Sequence, residues 1–405
     1  MRLAKPQCIT VLTLIAVLLL CPGNPAAGPP LAVASQPLVP ASPPLVPASP
    51  PLVAGAASSG GLQPTRILVV SERRPPRHGA RLVAGLASHA QQATLIPQID
   101  GEWWTVAGDP DLGPLTDPGQ QPVDFAVWQA VDGTWQLWSC IRKTKCGGNT
   151  RLFYRWQGRN LTDPDWQPMG IAMQADAGFG ETPGGLQAPH VVKIDGVYHM
   201  VYGDWEHICL ATGVDGKTFA RQLGPDGKSG MFTEGPGCNT RDAMLLRVGD
   251  TYHCYYTAYP NRQGAVYCRT SSDLRHWSDS RKVCFGGSAG TGGGSAECPH
   301  VVYHQQSGYY YLFRTQRYGA NAQTSVYRSK DPLDFGLDND DYLVCRLPVA
   351  APEIVLHEGQ YYIASLLPSL KGIRIARLKW APEQGDAANG RPAAGAVGAA
   401  NDGGA

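Results

Sequence analysis

One pattern recurs five times in this chain, at intervals of about 50–65 residues. Each copy is an apolar strand, a Gly-containing turn and a second strand rich in aromatics. The copies are Asp124–Ser139, Ala188–Asp204, Asp242–Ala258, Cys298–Thr315 and Ala351–Leu366. Their turns carry Asp132-Gly133, Asp195-Gly196, Gly249-Asp250, Ser307-Gly308 and Glu358-Gly359, dipeptides that supply the positive φ of a tight hairpin. Along the second strands, Tyr198/Met200/Tyr202 and Tyr252/Cys254/Tyr256 alternate with period two, the mark of a strand with two distinct faces. Later in the first four copies an acid precedes an aromatic: Asp163…Trp166, Asp215…Phe219, Asp273…Trp277 and Asp331…Phe335. An Asx-type turn pinned to a core explains that signature as scaffold. Five such units, each long enough for about four strands, predict an all-β fold, a five-bladed β-propeller.

The propeller is expected over residues 65–382. Residues 1–27 read as a signal peptide, with Arg2 and Lys5 ahead of an apolar run from Ile9 to Leu20 and small residues beyond it. Cleavage fits either Ala27 or Ala34. Residues 28–64 repeat Pro-Leu-Val-Pro-Ala-Ser-Pro and read as an extended Pro/Ala-rich linker, and 383–405 as a disordered Ala/Gly-rich tail. Arg81–Gln92 suits a short helix. The chain is therefore expected outside the cell or in the periplasm, free of the membrane once the signal is removed. A formal charge of +1 gives no electrostatic hold on nucleic acid. Export permits disulfides; of eleven cysteines nine lie outside the signal. Cys140–Cys146 and Cys254–Cys268 are the pairs that the spacing suggests. No zinc-type Cys/His spacing occurs.

Three acids stand at or beside the start of a repeated inner strand: Asp124, Asp242 and Glu297. Closing the repeats into a ring aims these starts at one axis. Aligning Leu245-Leu246 with Val301-Val302 sets Asp242 against Cys298 and Arg241 against Glu297. Asp242 and Glu297 are then one position out of phase. Successive strand residues point to opposite faces, so a bulge at the strand start is needed for both to reach a common cavity.

The motifs Arg241-Asp242 and Glu297-Cys298-Pro299 resemble those of the family 32 glycoside hydrolases. Gln187-Ala188-Pro189-His190 followed by Asp195-Gly196 is similar to family 43. The resemblance spans about Asp124 to Trp380, and departs from both families in its first blade, which reads Asp124-Phe125. It implies a glycosidase acting on arabinose-, xylose- or fructose-type units. In it Asp124 is base or nucleophile, Asp242 orients its partners and tunes their pKa, and Glu297 is the general acid.

That chemistry needs two carboxyl groups in different protonation states on opposite sides of the glycosidic bond, and burial with neighbouring charge is what separates their pKa values. Arg241 is a candidate to pair with a carboxylate or bind substrate. His190, His300 and Glu353 follow prolines at matching blade positions and are candidate pocket residues. Trp128, Trp103-Trp104 and Trp205 are candidate sugar-stacking platforms. Gly286–Gly294, just before Glu297, is a lid or a plain connection. The expected partner is a carbohydrate and the expected state a monomer. No cofactor is required, with a structural calcium left open. A non-catalytic sugar-binding propeller, or a phosphorylase or glycosyltransferase on the same scaffold, are the alternatives.

Overall fold

The computed structural model describes residues 94–383. The signal, linker and Arg81–Gln92 helix expectations, and all but the first residue of the expected tail, lie outside them. Strand β1 (Leu95–Gly108) comes first. Blade one is β2 (Gln121–Gln129), β3 (Trp135–Arg142), β4 (Leu152–Gly158) and β5 (Gln167–Met173). Blade two is β6 (Gln187–Ile194), β7 (Val197–Gly203) and β8 (Ile208–Gly213), edged by the short β9 (Ala220–Arg221) and β10 (Gly230–Phe232). Blade three is β11 (Arg241–Val248), β12 (Thr251–Ala258), β13 (Ala265–Ser271) and β14 (Arg281–Cys284). Blade four is β15 (Glu297–His304), β16 (Tyr309–Arg317), β17 (Gln323–Ser329) and β18 (Leu343–Leu347). Blade five is β19 (Glu353–His357), β20 (Gln360–Leu366) and β21 (Gly372–Pro382), and β1 returns as its outermost strand. The expected five-bladed propeller is thus formed, and its ring is closed by pairing the first described strand with the last.

Blades are held by the period-two alternation. Cys254 and Tyr256 face blade two, where they pack with Val201 and Leu210. Tyr255, between them, faces blade four with Val301 and Leu312. A separate apolar cluster fills the blade four–five contact around Tyr311, Phe313, Ile354 and Ile363. The largest joins blades five, one and two. The acid–aromatic signature is scaffold, as expected. Asp215 Oδ1 accepts from the backbone N–H of Lys217 and Thr218, both at 2.8 Å, and Asp273 Oδ1 from Arg275 and His276. Phe219 and Trp277 are the aromatics so anchored, packing on Trp138 and Phe232.

Neither proposed disulfide forms; all nine cysteines of the described residues are free. Cys254 sits opposite Arg269, and Cys268 opposite Tyr255. The one-residue offset sends the two thiols to opposite faces of the blade. Cys140 Sγ instead bonds Leu186 O at 3.3 Å, and Cys146 Sγ bonds Arg151 O at 3.4 Å.

Candidate active site on the propeller axis

In or just before each inner strand stands a non-glycine residue with positive φ: Asp124 (41°), Ala188 (40°), Asp242 (56°), Cys298 (45°) and Ala351 (48°). In blades one to four the ladder register shifts there. This is the bulge that the alignment requires. It puts residues from both phases, Arg241 with Asp242 and Glu297 with Cys298, on one cavity edge. A left-handed backbone costs such residues roughly 1–3 kcal/mol each, so a fivefold repeat of it is a built feature of this end of the barrel.

The bulges bring Asp124, Asp242 and Glu297 together with Arg241 and Cys298. Arg241 Nη2 is paired with Glu297 Oε1, and its Nε is 3.7 Å from Asp242 Oδ2. The guanidinium is also anchored on backbone: Nη1 donates to Asn239 O at 3.0 Å, and Nη2 to Gly293 O at 3.3 Å as well as to Glu297. Asp242 Oδ2 also accepts the Cys298 backbone N–H at 3.0 Å. Asp124 Oδ1 lies 3.1 Å from Cys298 Sγ and 3.3 Å from the Tyr318 hydroxyl.

Burial first, and then the charge of Glu297, push the Asp242 carboxyl up to about 7, with Arg241 pulling the other way. The carboxyl whose pKa burial raises is therefore Asp242, the orienting residue of the resemblance, while Glu297, the expected acid, is paired with Arg241. Burial opposes the Arg241 charge, yet Glu297 and Asp242 hold its pKa well above the arginine value. Burial and the charges of Asp124, Asp242 and Glu297 push the Cys298 thiol well up, so it stays protonated.

A polar cavity of about 190 Å³ opens over this group, with room for one sugar ring. It is lined by Asp124 and Glu297, by Arg142, Arg151 and Arg241, and by Gln187, Asn239 and Tyr318. Gln187 Oε1 and Asn239 Oδ1 are buried there with no hydrogen-bond partner among the described residues. Buried acceptors are rarely left so. Arg151, whose guanidinium lies over the Trp205 ring at 5.0 Å, and Tyr318 are site residues that the sequence pattern does not single out.

Other expected residues fall elsewhere. Trp128 is not a stacking platform. It is 6% exposed, donates Nε1–H to Gly216 O at 2.8 Å, and packs edge-on against Phe219 between blades one and two. Trp104 is tied by Nε1 to Leu161 O, and Trp103 carries the Arg374 guanidinium on its ring. The loop before Glu297 is anchored: fully buried Arg314 donates to Ser295 O, Gly290 O and Gly286 O.

His190 and Glu353 line a second, narrow space of about 20 Å³, bordered also by Asp124, Asp242 and Cys298. It admits a water, not a sugar ring, so neither touches substrate from it. His190 and His300 cap inner-edge backbone donors of the neighbouring blades: Leu245 N–H bonds His190 Nδ1, and Ile354 N–H bonds His300 Nε2, both at 3.3 Å. The rings meet with centroids 5.9 Å apart, and His300 Nδ1 is 3.5 Å from Glu353 Oε2.

Among the described residues, two groups are close enough to share a metal ion: His190, His300 and Glu353, and Asp124, Asp242 and Cys298. Calcium takes six to eight oxygens, and neither group provides them. In the first, the backbone donors leave the hydrogen of each neutral imidazole on the nitrogen that a metal would need. In the second, a protonated thiol is one of the three. The donors do not fit a structural calcium.

No family model matches the chain. A 1,2-β-oligomannan phosphorylase of Thermoanaerobacter sp. (strain X514) is 29% identical over 108 residues, 24% of this chain and 32% of that protein. The chain thus matches about a third of the length of this curated relative. Similar solved structures include a thermostable family-43 glycoside hydrolase, at 18% identity, 68% of this chain, 100% of that chain and a TM-score of 0.48. A family-32 β-fructofuranosidase of Bombyx mori is similar at 16% identity, 71% of this chain, 66% of that chain and a TM-score of 0.47. A third is from the GH130 family of mannoside phosphorylases, which contains glycoside hydrolases that target β-1,2-mannosidic linkages, at 15% identity, 68% of this chain, 94% of that chain and a TM-score of 0.47.

Proposed function

We propose that this chain is a glycosidase that cleaves oligo- or polysaccharides. The observation that carries the reading is the convergence of Asp124, Asp242 and Glu297, from three blades, at a one-sugar polar cavity. Asp124 and Glu297 face the cavity, and Asp242 borders the narrow space next to it. Asp124, held by Cys298 and Tyr318, acts on one side of the anomeric carbon. Glu297, as the resemblance has it, protonates the leaving oxygen, and Asp242 tunes it through the Arg241 that lies between them. Arg241 balances the charge as that proton moves, and Gln187 and Asn239 accept sugar hydroxyls.

The finer reading follows the resemblance: arabinose-, xylose- or fructose-type units, cleaved outside the cell or in the periplasm by a monomer needing no cofactor. Turnover of a panel of aryl glycosides and polysaccharides tests it. Glu297→Gln and Asp124→Asn are each expected to lower kcat by roughly 10²–10⁴. Hydrolysis that survives both substitutions refutes the site.

Phosphorolysis is the second reading. Arg142 and Arg151 line the cavity beside Asp124, and neither makes an ion pair within 4.0 Å among the described residues. Two such guanidinium groups suit an oxyanion, and the matched relative is named a phosphorylase. Sugar phosphate formed only when inorganic phosphate is present would select this reading over hydrolysis.

A further inference from the structure

A second recess lies on the rim of the propeller, between blades one and two. Its position follows from register. Trp138 and Arg155 are directly opposed on β3 and β4, so both side chains leave the same face of blade one. That face meets blade two, because Trp138 packs edge-on against Phe219. The next position outward on this row is Gly170, which adds no side chain over Arg155. Blade two supplies the far wall through the turn that Asp215 caps: Lys217, Thr218 and Phe219, with Arg221 just beyond. The recess measures about 330 Å³ and shares no lining residue with the axial cavity over the carboxylates. Thr218 and Phe219 also line an adjoining cavity of about 340 Å³, walled by Val197, Val214 and Ala220. Two adjoining spaces of that size hold neighbouring units of a sugar chain, not only a small ion.

The charge of the recess has one sign. Arg155, Lys217 and Arg221 line it, and no aspartate or glutamate does. Two of the three are already paired, Lys217 with Asp132 and Arg221 with Glu181. Arg155 is not. Its guanidinium makes one hydrogen bond among the described residues, from Nη1–H to Lys217 O at 3.3 Å, and no carboxylate of these residues stands within 4.0 Å of it. The N–H groups that remain form the planar fork that takes a carboxylate. Beside it the wall is apolar: Ile171, Met173 and Phe219 line the recess, and none of them is fully buried. Such a wall suits the C–H face of a sugar ring. An uncompensated guanidinium next to apolar surface fits a sugar that carries an acid.

We propose that the recess between blades one and two is a second carbohydrate site, which holds a uronic-acid unit of a polysaccharide with its carboxylate on Arg155. The site deepens the glycosidase reading and rests on it for the choice of a sugar over another acid. Blade one runs β2-β3-β4-β5 from the axis outward. Three strand spacings, about 14 Å, therefore separate the outer strand from the axis, and the recess holds the polymer away from the bond that is cut. Tethering the polymer there raises the local concentration of cleavable bonds at the axis.

Isothermal titration calorimetry on Glu297→Gln, which slows turnover, tests the site with two probes: a xylo-oligosaccharide bearing one glucuronic acid, and the same oligosaccharide without it. The acidic probe is expected to bind about fivefold tighter, the size of a partly exposed charge pair. Adding Arg155→Gln is expected to abolish the difference, and adding Arg155→Lys to keep part of it, since the charge remains. Salt at about 1 M should shrink it. Equal affinities for the two probes overturn the site. So does a preference that survives Arg155→Gln, because it then belongs to Arg142 and Arg151 at the axis. Acetate that displaces the acidic probe as well as glucuronic acid does marks a plain anion site and overturns the sugar. A wild-type protein that cleaves no glycoside overturns the glycosidase reading instead, and the Arg155-dependent difference still decides the recess.

Discussion

Cys298 Sγ lies 3.1 Å from Asp124 Oδ1, although 174 residues separate them and they belong to blades four and one. The contact links two bulge positions across the axis. It makes Cys298 a positioning residue for Asp124, together with its backbone N–H on Asp242.

Cys298 should therefore resist alkylation. Burial and three nearby carboxyl groups keep it a thiol, and the thiolate is the nucleophile. Mass spectrometry after iodoacetamide at pH 7 is expected to find Cys298 unmodified in the native protein and modified after unfolding. Cys298→Ser keeps a donor to Asp124 and should retain most activity, whereas Cys298→Ala should lose about tenfold in kcat, the order of one weakened catalytic hydrogen bond.

Asp242 should make stability depend on pH. Its folded pKa, raised to about 7, lies above the unfolded carboxylate value, so the folded state binds more protons between roughly pH 4 and 7. The resulting stabilisation is complete below the unfolded pKa and is lost as pH rises through the folded one. Tm is expected to fall from pH 5 to pH 8 in the wild type and to fall less in Asp242→Asn, which should also be inactive. Equal slopes in the two proteins would contradict the raised pKa.

Arg241 pairs with Glu297 and lies beside Asp242, from a position 5% exposed. Removing one partner of a buried ion pair leaves an uncompensated charge, at a cost of about 3–5 kcal/mol. Arg241→Gln is expected to unfold at lower denaturant by about that amount and to lose activity. Arg241→Lys should not rescue it, because a single ammonium cannot reach Glu297, Asn239 O and Gly293 O together.

Trp128 separates packing from binding. Trp128→Ala should destabilise the propeller by about 3–5 kcal/mol, as for other large buried aromatics, with KM unchanged in the protein that remains folded. A rise in KM with full stability would instead restore Trp128 to the sugar site.

Ring closure depends on β1. Deleting residues through Gly108 strips the ladder that runs from Leu95↔Pro382 to Gly108↔Gly372 and exposes β21 as an edge. The truncated chain is expected to be insoluble or to lose its cooperative unfolding transition, measured by circular dichroism against the full chain.

The blade count, the hairpin turns and the acid–aromatic scaffold were legible because each rests on local chemistry that repeats: period-two alternation, Gly in a tight turn, an Asx carboxylate over two backbone donors. The offset between Asp242 and Glu297 was legible too, and with it the need for a bulge. What rests on contacts between blades was not. Arg151 and Tyr318 reach the cavity from strand ends with no motif around them, and Trp128 reads alike whether it faces a sugar or Phe219. Cys254 and Cys268 were on neighbouring strands as expected, but one residue of register put them on opposite faces. The order of residues along the chain alone determines how many blades there are and which acids stand at their heads. Which of those acids keeps a proton is decided only by the closed ring, because a carboxyl's pKa answers to burial and to charges brought from other blades.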